Sequence, residues 1–174
     1  CNEIIPGFLY LGGEAAAYNL ENLEKVGITH IINSAADVLE NRYAPKFKYL
    51  SFYQKDSKTE CIECIFYDCI EFIEKCRNEK GKILIHCVQG ISRSVTIVMS
   101  YLLLMNNYTY ETALDIVKKS RGVANPNVGF VLQLLFFQKR LREPFGSIPG
   151  KARVFCVSSH QPESPHYIVT RMII

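Results

Sequence analysis

Residues 86–94 (HCVQGISRS) constrain this chain more than any other stretch. An apolar run at 82–85 (KILI) enters it, and an apolar run from 94 to about 105 leaves it. Such runs read as a buried strand followed by a helix. Between them Cys87 is followed by Val88, Gln89, Gly90, Ile91 and Ser92, then by Arg93 and Ser94. A short loop opening a helix aims successive backbone N–H groups into its own concavity. The helix N-terminus adds partial positive charge, so the loop is an anion cradle. Gly90 admits a backbone conformation closed to residues with side chains. Arg93 supplies a planar donor fork that suits phosphate oxygens. Cys87 stands at the strand end, beneath such an anion. Sites of this kind lower a cysteine pKa to roughly 3.5–7.5. A thiolate beneath a phosphate ester is an in-line nucleophile.

Each residue alone has a plainer reading. A lone cysteine after an apolar strand is most often core, and His86 alone reads as a core histidine. The combination of strand, Cys-x5-Arg-Ser spacing, interior glycine and helix favours the phosphate cradle. The loop is not a Walker nucleotide loop, because GxxxxGK[ST] is absent.

With these residues in view, HCVQGISRS resembles the signature loop of cysteine-dependent protein tyrosine phosphatases. Its Gly-Ile-Ser-Arg-Ser ending is similar to the dual-specificity subgroup, which includes MAP kinase phosphatases. The resemblance spans residues 4 to about 142. Residues 4–12 look like the family's opening strand and 27–33 (GITHIIN) like its second. Tyr101-Leu102 falls in the helix after the loop, and Arg121, Asn125-Pro126-Asn127, Gly129-Phe130 and Gln133-Leu134 are similar to a late motif. Residues 158–172 (SSHQPESPHYIVTRM) are faintly similar to a segment that follows the catalytic domain in plant-type MAP kinase phosphatases.

The resemblance implies a protein phosphatase for phosphotyrosine and phosphoserine or phosphothreonine, working through a cysteinyl-phosphate, with MAP kinases as plausible substrates. In that scheme Cys87 is the nucleophile. The backbone of Val88, Gln89, Gly90, Ile91 and Ser92 holds phosphate together with Arg93. Ser94 assists departure of the sulfur. His86 orients the loop and helps keep the thiolate charged, and Asn127 supports the loop. Neither a metal nor another cofactor is called for.

The leaving oxygen needs a proton, so a carboxylic acid should face the cysteine. Asp68 and Asp115 fall in helical patterns and read as solvated faces. Asp37 and Asp56 each follow a strand. Asp56 lies in a polar loop 31 residues ahead of Cys87, across one helix and one strand, as the resemblance implies. Asp56 is therefore preferred as the acid and Asp37 is the alternative. Two rival functions stand beside this one. A phosphoinositide or RNA-end phosphatase would be expected to carry lysines inside the loop, and this loop has none. A non-catalytic phosphoprotein-binding module would be expected to lack Cys87 or Arg93.

The remaining sequence sets the frame. The chain has 174 residues, enough for one domain and a tail: a catalytic domain over 1–142, then a linker and tail over 143–174. A net charge of +3 without a charge run gives no sign of nucleic acid. The most apolar run, 95–105, is too short to span a bilayer, so no membrane partner is expected. No signal peptide is recognisable, and the start at Cys1 reads as a fragment or processed chain. Seven cysteines, an odd number without scaffold spacing, suggest a reducing cytoplasmic or nuclear compartment. Cys61-x-x-Cys64 lacks a second ligand pair and is not read as a zinc site.

Strands are expected at 8–11, 28–33, 49–53 and 82–85. Helices are expected over 14–26, from 62 to about 77, from 94 to about 105 and from Thr109. A last helix is capped at Asn125-Pro126, with Phe130, Val131, Leu134, Leu135, Phe137 and Leu141 facing inward. Strands alternating with helices give an α/β fold with a central, largely parallel twisted sheet flanked by helices, like that of the protein tyrosine phosphatases. The loop then lies at the carboxyl end of a central strand. Residues 143–152 read as linker and 153–157 as a strand. The apolar run at 167–174 suggests either a truncated neighbouring segment or one that docks on the catalytic domain.

Overall fold

The computed structural model describes residues 1–142. The linker and tail assigned to 143–174, with the strand expected at 153–157, lie outside the described residues. Five short strands form one sheet: β1 (Asn2–Ile5), β2 (Leu9–Gly12), β3 (His30–Asn33), β4 (Lys48–Ser51) and β5 (Ile83–His86). Their order is β1-β2-β5-β3-β4, with β2, β5, β3 and β4 parallel and β1 antiparallel at the edge. Residues 4–12 are thus a hairpin, not the single opening strand expected. Gly7, at φ +67°, lies in its turn.

β5 is central and buried at every residue. The period-two alternation of its side chains divides the core. Ile83 and Ile85 join Leu9, Leu11 and Ile32 in the larger cluster, while Leu84 joins Tyr10 and Ile31 on the other face. The smaller face is covered by α1 (Glu14–Ala17) and α2 (Leu20–Val26). These two replace the single helix expected over 14–26. The Asn19 side chain accepts from the Asn22 amide and starts a new helix, and Gly27, at φ +82°, ends it.

The larger face is covered by α3 (Phe66–Asn78), α4 (Arg93–Met105), α5 (Tyr110–Ser120) and α6 (Val128–Arg142). A short 3₁₀ turn (Glu63–Ile65) leads into α3. α4 is buried from Arg93 through Leu103, with α3, α5 and α6 around it, as its nearly unbroken apolar sequence requires. Thr109 caps α5 by accepting from the Thr112 amide. Phe66 and Phe137 meet edge to face, with centroids 5.1 Å apart, and tie α3 to α6.

Two expectations about α6 fail. Asn125 does not cap it: the Asn125 amide donates to the Ile91 carbonyl at 2.8 Å, and the Asn127 amide to Ser92 Oγ at 3.1 Å. These bonds draw the segment onto the loop between β5 and α4. The helix starts later, with Asn127 Oδ1 accepting from the Phe130 amide at 3.1 Å. Leu135 also points outward, while Phe130, Leu134 and Phe137 are buried. α6 is apolar on both sides, so its pattern could not say which side faces the core.

Cys61 and Cys64 are joined in a disulfide, with Cα atoms 5.9 Å apart. The odd cysteine count suggests reduced thiols, but the turn at the entrance to α3 brings these two together. Cys69, Cys76 and Cys87 are free and buried, and Cys1 is free and exposed. Among the described residues no helix is long and apolar enough to cross a membrane.

Candidate active site

In register, Gly12 of β2 and Asn33 of β3 both pair with His86, so three parallel strands end together where Cys87 begins. The six residues that follow turn back over the carboxyl end of the sheet into α4. What shapes this loop is the fate of its carbonyls. Val88 O accepts from the Glu14 amide at 2.8 Å, and Ile91 O from the Asn125 amide at 2.8 Å. Arg121 donates through Nη2 to Gln89 O at 2.8 Å and through Nε to Gly90 O at 2.5 Å. Ser92 O accepts from the Thr96 amide at 2.9 Å. All five carbonyls are thus bonded to surrounding elements. A trans peptide sets each N–H opposite the preceding C=O, so the amides of residues 89 to 93 point the other way, into the concavity. Gly90 holds φ +70°, and a Cβ there would lie 2.4 Å from the Gly12 carbonyl oxygen. Only glycine fits that approach.

Cys87 Sγ lies on the floor of the concavity, accepting from the Gly90 amide at 3.2 Å and 3.3 Å from Ser94 Oγ. Arg93 is 7% exposed and turns inward, across the mouth of the loop. Its Nη1 donates to the Gln54 carbonyl at 2.8 Å and lies 3.9 Å from Asp37 Oδ1. Its Nε lies 3.9 Å from Asp56 Oδ2, is buried, and makes no hydrogen bond within the protein. A buried, charged donor without an acceptor is costly. A bound oxyanion would relieve that cost.

Asp56 sits at the opposite rim with its side chain 38% exposed. Its Oδ1 accepts from Ser92 Oγ at 2.7 Å and from Asn127 Nδ2 at 2.8 Å. Asn127 therefore does two things at once, starting α6 with its Oδ1 and holding Asp56 with its amide. The loop carrying Asp56 rests on α6, where a Cβ on Gly129 would lie 2.0 Å from the Lys58 carbonyl oxygen. Farther along, Gln133 donates to Glu60 O at 2.8 Å and accepts from the Glu63 amide at 2.9 Å. Glu63 also pairs with Arg140. Asp37 reaches the same arginine from the β3 side, 3.9 Å from its Nη1. Asp68 and Asp115 lie on α3 and α5, away from the loop.

His86 departs from one of its two expected roles, that of keeping the thiolate charged. Burial pushes its pKa down to about 4, so at neutral pH the ring carries no charge to support a thiolate. Its Nδ1 lies 3.4 Å from the Cys87 carbonyl, which can only accept, so Nδ1 carries the hydrogen and orients that peptide. The Ser34 hydroxyl donates to the His86 carbonyl at 2.8 Å. Arg121 is the residue whose function the sequence did not announce. Its targets are backbone carbonyls together with Asn2 Oδ1, 2.8 Å away. Only its place at the head of the late family motif hinted at it. A separate cleft of about 360 Å³, lined by Glu14, Asn19, Asn22, Gln89 and Arg121 among others, lies on the outer side of the loop and does not contain Cys87. Among the described residues no three His, Cys, Asp or Glu side chains are grouped to hold a metal ion.

Comparison with known proteins agrees with this geometry. Residues 9–140 match the family described as dual specificity phosphatase, catalytic domain. The chain is similar to the Arabidopsis thaliana protein-tyrosine-phosphatase MKP1, 36% identical over 169 residues, which cover 97% of this chain and 22% of that protein. It is also similar to human dual specificity protein phosphatase 22, 38% identical over 159 residues, covering 85% of this chain and 83% of that one. The fold superposes on the crystal structure of human tyrosine phosphatase-like serine/threonine/tyrosine-interacting protein with a TM-score of 0.75 and 35% identity, over 80% of this chain and 95% of that chain. A carbonyl-out loop above a buried cysteine, an inward arginine, a facing carboxylate and these matches lead to one assignment: the chain belongs to the dual specificity phosphatase family.

Proposed function

We propose that this domain hydrolyses phosphotyrosine and phosphoserine or phosphothreonine in proteins through a cysteinyl-phosphate. One observation carries the reading. Cys87 Sγ lies beneath inward-turned amides, and the buried Arg93 Nε has no acceptor inside the protein. In the proposed reaction the phosphoryl group docks with three oxygens on the loop amides and the Arg93 fork. The lone pair of the Cys87 thiolate forms the S–P bond as the P–O bond to the leaving group breaks. Asp56 gives that oxygen its proton. The loop and Arg93 hold the charge spread over the equatorial oxygens. Asp56, now a carboxylate, takes a proton from the attacking water. The S–P bond breaks with its electrons returning to sulfur, and Ser94 Oγ donates a hydrogen bond to the departing thiolate.

Substrate class rests on the family and on the uncharged loop side chains Val88, Gln89, Ile91 and Ser92, which offer nothing to further phosphates of an inositol ring. A dually phosphorylated kinase activation segment, of the MAP kinase type, is the substrate to test first. The decisive assay compares phosphate release from phosphotyrosine and phosphothreonine peptides with release from phosphoinositides. Rapid quenching should trap phosphate on Cys87. Turnover of inositol lipids alone, or no trapped phosphoenzyme, would sink the reading.

A further inference from the structure

α6 buries Phe130, Leu134 and Phe137 against the core, yet it also exposes a second apolar row. Val128, Leu132, Leu135 and Phe136 are 53%, 52%, 37% and 59% exposed. They follow one another at i, i+4, i+7 and i+8, which is one continuous stripe on a 3.6-residue helix. Scattered surface hydrophobes are ordinary, whereas a contiguous stripe on a helix apolar on both sides marks a covered face.

We propose that the chain's own apolar run, residues 167–174 (YIVTRMII), covers this stripe. Three observations favour it over other occupants. Arg142 is the last described residue of α6 and the run follows it in the same chain, so the run is tethered to the helix it would cover. α6 spans about 21 Å from Val128 to Arg142, at roughly 1.5 Å per residue. The intervening segment from 143 to 166 reaches several times that distance when extended, at roughly 3.3 Å per residue. Tethering also makes the contact intramolecular, with an effective concentration in the range of about 1 mM that a free partner seldom matches. Finally, similarity to the plant relative covers 97% of the chain, continuing well past the family match that ends at residue 140. Similarity to that relative thus continues into the tail. The stripe begins at Val128, next to Asn127, which holds Asp56, so its cover would abut the acid loop.

The chain contains no tryptophan, so one can be introduced as a reporter without background. Phe136→Trp, and separately Leu132→Trp, is made in the 1–174 chain. Each is compared with the same chain carrying Ile168→Asp, Val169→Asp and Ile173→Asp. In the parent chain the emission should be blue-shifted. Acrylamide quenching should be about threefold weaker than in the tail variant, at every protein concentration. Equal, solvent-like emission in both chains would overturn the proposal. So would protection that survives the tail substitutions, or protection that grows with protein concentration and thereby identifies a second copy as the cover.

Discussion

The two loops that meet over Cys87 are built by different means. The phosphate loop is fixed through its backbone: five successive carbonyls are bonded outward, and Gly90 fits against Gly12 where no side chain could. The acid loop is fixed mainly through side chains. Ser92 and Asn127 hold Asp56, Gln133 holds Glu60, and Asp56 itself is more than a third exposed. Five successive backbone groups bonded to surrounding elements leave a loop little freedom. A few side-chain bonds at a partly exposed rim open and close at small cost. The difference matches what the proposed reaction asks of each loop. A cradle for an oxyanion gains most when its dipoles are pre-set. An acid must meet leaving groups of different size and then turn to a water.

The comparison can be broken most severely at the sulfur. Cys87→Ser should lower turnover of an aryl phosphate by at least about 10⁴-fold. Phosphate binding, measured by calorimetry, should stay within a few-fold, because the amides and Arg93 remain. Loss of binding as well would mean that the sulfur itself holds the loop in shape. Next comes Asp56→Ala. It should slow turnover of a phenol-like, poor leaving group by about 10²–10³-fold, but barely affect a nitrophenol. The limb of the pH–rate profile that reports the acid should vanish. An unchanged profile would move the role to Asp37, on the other side of Arg93.

A matched pair of glycine substitutions separates the loops directly. Gly90→Ala puts a Cβ 2.4 Å from Gly12 O at positive φ, so stability and phosphate affinity should both fall, stability by roughly 2 kcal/mol. Gly129→Ala pushes on Lys58 O instead. It should cost about tenfold in rate, only with poor leaving groups, and leave phosphate affinity alone. If both variants lose phosphate affinity, the loops form one unit.

The smallest effect on turnover concerns His86, whose contribution is to stability. Its folded pKa, near 4, lies below the ordinary value of 6.5 because burial disfavours the charged ring. The unfolded chain therefore takes up the proton first as pH falls. Stability from the neutral ring is complete above about pH 6.5 and drains away towards pH 4, by about 3 kcal/mol in all. Urea unfolding at pH 7 and pH 4.5 should reveal this slope, and His86→Asn should flatten it relative to the parent. An equal slope in both proteins would remove His86 from the account.

Much of this architecture is readable in the chain because its signals are local. Cys87, Gly90 and Arg93 sit within seven consecutive residues, between a strand and a helix of unmistakable apolarity. Turn and cap chemistry at Asn19, Gly27 and Thr109 is equally short-range. Arg121 was missed for a physical reason: it binds carbonyl oxygens, which every residue carries, so no complementary side chain marks its partner. The late start of α6 was missed because the competing acceptors, Ile91 O and Ser92 Oγ, lie 34 and 35 residues upstream of the Asn125 and Asn127 amides that reach them.

What the amino-acid order determines alone is therefore the placing of Cys87, Gly90 and Arg93 in one loop, where the proposed nucleophile and anion cradle lie, and the layered fold around them, since each follows from neighbours within a few residues. The tertiary structure alone decides how deeply His86 is buried and hence that it is neutral. It also decides which side of α6 meets the core, and which carboxylate is held by Ser92 and Asn127 across the mouth of the loop. Those outcomes depend on solvent exclusion and on contacts between segments far apart in the chain, and neither is encoded in any single stretch of it.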